Sequence, residues 1–248
     1  MRPLMRRLLP HEVAVGEVRG ELTAPPLFPE EEAVVARAVE KRRREFATGR
    51  RCARLALAAL GHAPAPLLPG TRGAPGWPAG VVGAISHCDG YRVAAVARDT
   101  DLAALGIDAE PALPPPGGVL EAVSLPQERA ALDRLAREQP AVPWGRLLFS
   151  AKESVYKAWF PLAGRMLGFG DAHLRLSWEP DPAGGVRGTF TARLLVPLPP
   201  AVAAVTGPGG ELAGRWLADD GLVLTAVAEP ARRRSPAPRT APGTAVPG

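Results

Sequence analysis

The chain has 248 residues, 46% hydrophobic and 22% charged, enough to bury a sizeable core as one large domain or two close halves. Its two cysteines, Cys52 and Cys88, make neither a disulfide framework nor a zinc spacing. A reducing, cytoplasmic setting is therefore expected, and no apolar run approaches the ~18 residues of a membrane span. The net charge of +5 is dominated by Arg232, Arg233, Arg234 and Arg239 in a Pro/Ala/Gly-rich tail, residues 230–248. That tail is expected to be disordered, so the basic balance argues little for nucleic-acid binding.

Residues 1–29 are proline-broken and partly extended, with no apolar stretch long enough for a signal peptide. Glu30 to Leu60 reads as helix, with Glu30, Glu31 and Glu32 in the first turn, Gly61 as the stop, and a slackening at Thr48-Gly49 as a place to divide it. Within it, Lys41-Arg42-Arg43-Arg44 with Arg50, Arg51 and Arg54 forms a basic patch. It is either a solvated face or a set of phosphate contacts, for which arginine's planar fork is suited. A Pro/Gly-rich loop follows over residues 62–80 and carries Arg72.

Val81–Ser86 and Tyr91–Ala97 read as strands joined at Asp89-Gly90, with His87 beside Ser86 at the end of the first. Leu102–Glu110 is a third strand. Residues 111–118, containing Pro114-Pro115-Pro116, are the strongest internal break. Helices are expected over 126–138 and from Ser150 to about Phe160. Strands follow near 172–178, 188–196, 214–217 and 222–228, the last two joined at Asp220-Gly221. Each half thus reads as a helix followed by an antiparallel meander. The expected fold is α+β, two similar halves (1–111 and 112–229) packed as a pseudodimer with a site between them.

Two segments carry most of the chemistry. In Gly106-Ile107-Asp108-Ala109-Glu110 the carboxylates at i and i+2 project from one strand face, roughly 6.5 Å apart. In Phe149-Ser150-Ala151-Lys152-Glu153-Ser154-Val155-Tyr156-Lys157, Glu153 and Lys157 share a helix face. Brought together, Asp108, Glu110 and Glu153 would repel unless a hard cation such as Mg²⁺ joined them. Other readings stand beside this one. Asp108-x-Glu110 also suits a strand end running into a turn, and Ser150-x-x-Glu153 also suits a capping box.

Ile85-Ser86-His87-Cys88, Gly106-Ile107-Asp108-Ala109-Glu110 and Phe149–Lys157, in this order and spacing, resemble the 4′-phosphopantetheinyl transferases. The likeness is to the monomeric, pseudodimeric type that activates enterobactin, surfactin, polyketide and mycobacterial lipid synthases. It extends through Lys41–Phe46, Arg50–Arg54, Gly73–Pro78 and Tyr156–Leu162, covering roughly residues 30–228. The resemblance implies transfer of the phosphopantetheine arm of coenzyme A to a serine of an apo acyl or peptidyl carrier protein, with release of adenosine 3′,5′-bisphosphate. It implies Mg²⁺ on Asp108, Glu110 and Glu153, with Glu153 as general base, directly or through a water. Lys157 would stabilise phosphate charge with Lys152 nearby, and Arg42, Arg50, Arg72, Ser86 and His87 would hold the nucleotide phosphates. Ala109 departs from relatives that place a polar side chain there, and Arg42 is preferred to Arg43 by its spacing to Phe46 and Arg50. The competing functions are a Mg²⁺-dependent nucleotide pyrophosphate hydrolase and a basic nucleic-acid-binding module. The second lacks interleaved aromatics, Phe46 being the only one in the basic stretches. No nucleic acid, no membrane and a monomer are expected.

Overall fold

The computed structural model describes residues 3–20, 26–207 and 209–231. The expected tail lies almost entirely outside the described residues. Pro230 itself closes the last strand, and the Ala231 amide donates to the Asp101 carbonyl.

The elements in chain order are β1 (Ala14–Arg19), α1 (Pro29–Val35), α2 (Glu40–Ala59), β2 (Val81–Cys88), β3 (Tyr91–Arg98), β4 (Leu102–Pro111), α3 (Val119–Val123), α4 (Pro126–Glu138), α5 (Trp144–Ala163), β5 (Ala172–Leu176), β6 (Glu179–Pro180), β7 (Val186–Leu194), α6 (Pro200–Thr206), β8 (Glu211–Asp219) and β9 (Leu222–Pro230). One sheet has three strands in the order β1-β3-β2, the other six, with β4-β9-β8-β7-β5 in line and β6 on β7; all pairings are antiparallel. The molecule is thus α+β, with helices packed on antiparallel sheets.

Several local expectations are refined. The break in the first helical stretch falls between Val35 and Glu40, not at Thr48-Gly49. Gly49 stays helical because it faces Ile85 of β2 at contact distance, where a small residue fits. The second catalytic-motif helix starts six residues earlier than expected, at Trp144. Ser150 is therefore a helix-interior residue whose hydroxyl pairs with the Thr225 hydroxyl at 3.0 Å, and Ser150 and Glu153 form no capping box. Helix α3 rises from the segment expected to be loop. Asp220 and Gly221 both take positive φ, 50° and 73°, the type I′ turn that Asp-Gly favours between twisted strands.

The third strand forms as expected but takes a partner from the far end of the chain. β4 hydrogen-bonds to β9, with Asp108 opposite Thr225, and packs face-on against β2. A core between the two sheets gathers Leu4, Met5 and Leu9 from the N-terminal segment, Tyr91 and Val93 from β3, Ile107 from β4 and Leu224 from β9. Helix α5 lies on β4 and β9, and α2 on β1 and β3. Each helix reaches backbone contact through a glycine. A Cβ on Gly106 would stand 2.0 Å from the Ser154 carbonyl oxygen, and one on Gly16 would stand 2.1 Å from that of Cys52.

Candidate active site

The close approach of α5 to β4 sets the site. On β4, Asp108 and Glu110 face the helix while Ile107 and Ala109 enter the inter-sheet core, the alternation a strand requires. On α5, residues 146, 150, 153 and 157 follow helical spacing along one stripe. The Lys157 Nζ donates to Asp108 Oδ1 at 2.7 Å and to Ser86 Oγ at 3.1 Å. Ser86, from β2, donates in turn to Asp108 Oδ1 at 2.8 Å and accepts from the Ala109 amide at 3.2 Å. Three elements from both sheets thus converge on one carboxylate oxygen. The other, Asp108 Oδ2, is buried and has no hydrogen-bond partner among the described residues.

Glu110 pairs through Oε2 with Arg146 at 3.0 Å, and the same guanidinium reaches the carbonyls of Leu113 and Pro114 at 3.2 and 3.1 Å. Burial raises the Glu110 pKa, the Asp108 charge adds to that, and Arg146 opposes it. Burial likewise raises the Glu153 pKa, with Lys157 opposing and Asp108 adding. Glu153 joins no ion pair among the described residues. Asp108 is therefore electrostatically coupled to both glutamates. Among the described residues no three His, Cys, Asp or Glu side chains form a ready-made ion cage. The donor chemistry nevertheless fits a hard divalent cation: a buried carboxylate oxygen lacks a partner, and two neighbouring carboxylates are undercompensated.

His87 and Arg42 form a second group, around Glu45. The His87 Nε2 stands 3.3 Å from Glu45 Oε2, and the Arg42 Nη1 stands 3.9 Å from the same oxygen. Burial lowers the His87 pKa, against the pull of Glu45. Arg72 is exposed on a loop where its φ is 55°. Arg50 is turned inward. It is buried, its Nε donates to the Leu67 carbonyl at 2.6 Å, its guanidinium lies 4.2 Å from the Phe46 ring centroid, and burial lowers its pKa to about 10.

Lys152 is not brought to the Asp108 group. It is buried on another side of α5, where its ammonium donates to Glu128 Oε2 at 2.8 Å and to the Phe169 carbonyl at 2.6 Å. Burial lowers its pKa and Glu128 opposes the shift.

Two cavities flank Glu153 and Lys157. One, of about 400 Å³, is lined by the loop around Arg72, Trp77 and Ile85, with Tyr156 and Lys157 on its helix side. The other, of about 450 Å³, is lined by Glu153, Tyr156, Met166, Leu167 and Phe169, with Lys152 at its base. Tyr156 belongs to both walls. A larger cavity, of about 630 Å³, touches none of the carboxylates: it lies between the N-terminal segment and β7–β9 and includes Glu12 and Asp101.

Sequence reasoning did not single out Arg146, and it read Glu45, with Glu40, only as partly neutralising the basic run. Arg146 was legible as the residue seven before Glu153, hence on its face. The approach of Glu45 to His87 gave no such signal, because His87 comes from a different element. The basic run on α2 is largely answered by acids: Arg43 meets Glu32 at 2.9 Å, Arg54 meets Glu31 at 2.8 Å, and Arg44 lies 3.9 Å from Glu40.

Comparison with known proteins identifies the family. Residues 30–97 match the 4′-phosphopantetheinyl transferase N-terminal domain, and residues 104–196 match the 4′-phosphopantetheinyl transferase superfamily domain. The chain is 60% identical over 202 residues to 4′-phosphopantetheinyl transferase Svp of Streptomyces mobaraensis, covering 82% of this chain and 78% of that protein. It is 50% identical over 204 residues to 4′-phosphopantetheinyl transferase Npt of Nocardia iowensis, covering 81% and 88%. To 4′-phosphopantetheinyl transferase PptT of Mycobacterium tuberculosis it is 46% identical over 229 residues, covering 90% and 97%. Paired domains in tandem, together with identity at this level over most of the length, leave one conclusion: this chain belongs to the 4′-phosphopantetheinyl transferase superfamily and is an enzyme of that kind.

Proposed function

We propose that this enzyme takes the phosphopantetheine arm from coenzyme A and places it on a serine of an apo acyl or peptidyl carrier protein, releasing adenosine 3′,5′-bisphosphate. The observation that carries this reading is the convergence of Lys157, Ser86 and Asp108, with one Asp108 oxygen left unpartnered, beside two cavities that Tyr156 separates. The cavity beside Arg72 and Trp77 suits the nucleotide, with Arg42 and His87 as further phosphate contacts. The cavity beside Met166 and Phe169, on the Glu153 side of the helix, suits the pantetheine arm. The diphosphate joining the two would then lie along Lys157 and Glu153.

Asp108, Glu110 and Glu153 would hold Mg²⁺. The ion would supply neutralisation of charge on the diphosphate. Lys157 places a fixed positive charge at that point, and Ser86 holds both Lys157 and Asp108 in place. Glu153 is the general base for the carrier serine, directly or through a water, as the carboxylate on the helix face that also carries Lys157. Arg146 keeps one Glu110 oxygen occupied. The polypeptide supplies one site from both sheets, which supports action as a monomer. No helix among the described residues is long and apolar enough to cross a membrane; we infer a cytoplasmic setting from the cysteine usage, and neither nucleic acid nor membrane as a partner.

Incubation of an apo carrier protein with the enzyme, coenzyme A and Mg²⁺, followed by intact-mass analysis, should show the carrier gaining one arm. Asp108→Asn keeps side-chain volume and should slow transfer by at least about a hundredfold. Wild-type transfer by that variant would remove Asp108 from the mechanism.

A further inference from the structure

Lys152 and Glu128 form the most completely bonded buried ion pair outside the Asp108 group. The side chains are 3% and 1% exposed, so the pair must be satisfied on every side to be tolerated. It is. Glu128 Oε2 accepts from Lys152 at 2.8 Å and from the Leu125 amide at 2.7 Å, while Oε1 accepts from the Leu174 amide at 2.7 Å. Lys152 spends a further donor on the Phe169 carbonyl at 2.6 Å. The pair thereby ties the start of α4, the middle of α5, the Gly168–Asp171 turn and β5 at one point.

That point is the base of the apolar cavity beside Glu153. Phe169, whose carbonyl Lys152 holds, is one cavity wall, and its ring packs on Phe149 at 5.8 Å between centroids. Met166, on the same loop, accepts from the Tyr156 hydroxyl at 3.0 Å at the other wall. The loop from Met166 to Phe169 has no regular hydrogen-bond ladder of its own over these residues; from α5, Tyr156 bonds its start at Met166 and Lys152 its end at Phe169.

We propose that Lys152 is a positioning residue: through Glu128 and the Phe169 carbonyl it fixes the wall of the cavity that receives the pantetheine arm, and it does not contact the phosphates. The inference rests on the assignment of that cavity to the arm. It accounts for a lysine next to Glu153 whose ammonium is turned to a carboxylate and a carbonyl in the interior.

The two roles separate by ligand. Coenzyme A and adenosine 3′,5′-bisphosphate share the nucleotide, but only the first carries the arm. Calorimetric titration of each into wild type, Lys152→Met and Glu128→Gln decides. Lys152→Met should weaken coenzyme A binding by about tenfold, the equivalent of one charged hydrogen bond, and leave the bisphosphate within about twofold. Glu128→Gln should follow the same pattern, because it acts through the lysine. Equal loss of both ligands in Lys152→Met would show a phosphate contact and overturn the proposal, as would unchanged coenzyme A affinity. Wild type that binds both ligands equally well would instead overturn the assignment of the cavity to the arm. Since each single variant leaves a buried charge unpaired, Lys152→Met/Glu128→Leu provides the folded control. It removes both charges together, which is often neutral for stability, and should show the same selective loss.

Discussion

Asp108 divides its carboxylate between two tasks. One oxygen takes hydrogen bonds from Lys157 and Ser86, and the other, equally buried, takes none among the described residues. A buried acceptor left open costs stability and is retained where something else will bind it. Lys157 is tied to the same oxygen that orients Asp108, so Lys157→Ala should lower turnover by about a hundredfold while coenzyme A affinity changes much less; single-turnover assays beside calorimetry separate the two. The reverse outcome would make Lys157 a binding residue. His87 offers a test by pH. Burial lowers its pKa from 6.5, so the unfolded chain takes up this proton at a higher pH than the folded chain. Its contribution therefore makes stability fall as pH drops below 6.5, and His87→Gln should flatten that part of the curve in urea unfolding measured above and below this pH. An unchanged slope would mean another group is responsible. At this scale the sequence identified the Asp108, Glu153 and Lys157 set through spacing and resemblance. It did not separate Lys152 from Lys157 by partner, because Glu128 lies 24 residues away from Lys152 and only packing brings it near.

At the scale of elements, the decisive contact is that of α5 on β4. Gly106 permits it, since any Cβ there would overlap the Ser154 carbonyl and crowd the Ala158 amide, 2.7 Å away. Gly106→Ala should push the helix off the strand, cost about 2–3 kcal/mol of stability, and carry Lys157 away from Asp108. Thermal melting and carrier modification should fall together. A variant with normal stability and normal transfer would show that the spacing is not critical. Gly16 plays the same role for α2 on β1, so each long helix is seated on its sheet by one glycine. Periodicity predicted both helices and most strands, because these are local properties. It misplaced the α1–α2 break and the start of α5. Thr48-Gly49 is a weak local signal that packing on β2 overrides, and the true start of α5 depends on Trp144 entering the core, where it stacks edge-on with Trp216 at 5.4 Å.

For the whole molecule, the two sheets differ in size, three strands against six, because β4 pairs with β9. This crossover makes the chain's two ends depend on one another. The N-terminal segment closes the inter-sheet core with Leu4, Met5 and Leu9, and Arg7 holds Asp181 at 2.7 Å across the junction. Pro230 and Ala231 belong to this arrangement, since β9 runs through Pro230 and the Ala231 amide is bonded. Truncation should therefore begin after Ala231. A chain lacking residues 232–248 is expected to melt and to modify carrier protein as the full chain does. A large loss of transfer would give the Arg-rich tail a part in binding.

Most of the helices and strands, the hairpin at Asp220-Gly221, the paired carboxylates on one strand face and the family resemblance were present in the sequence, because each depends on neighbours a few residues apart. The partner of β4, the inward turn of Arg50 and Lys152, and the open oxygen of Asp108 were decided only by the tertiary structure. Each is settled by which distant groups compete for the same donor, acceptor or buried surface, and that competition exists only once the two halves have closed on one another.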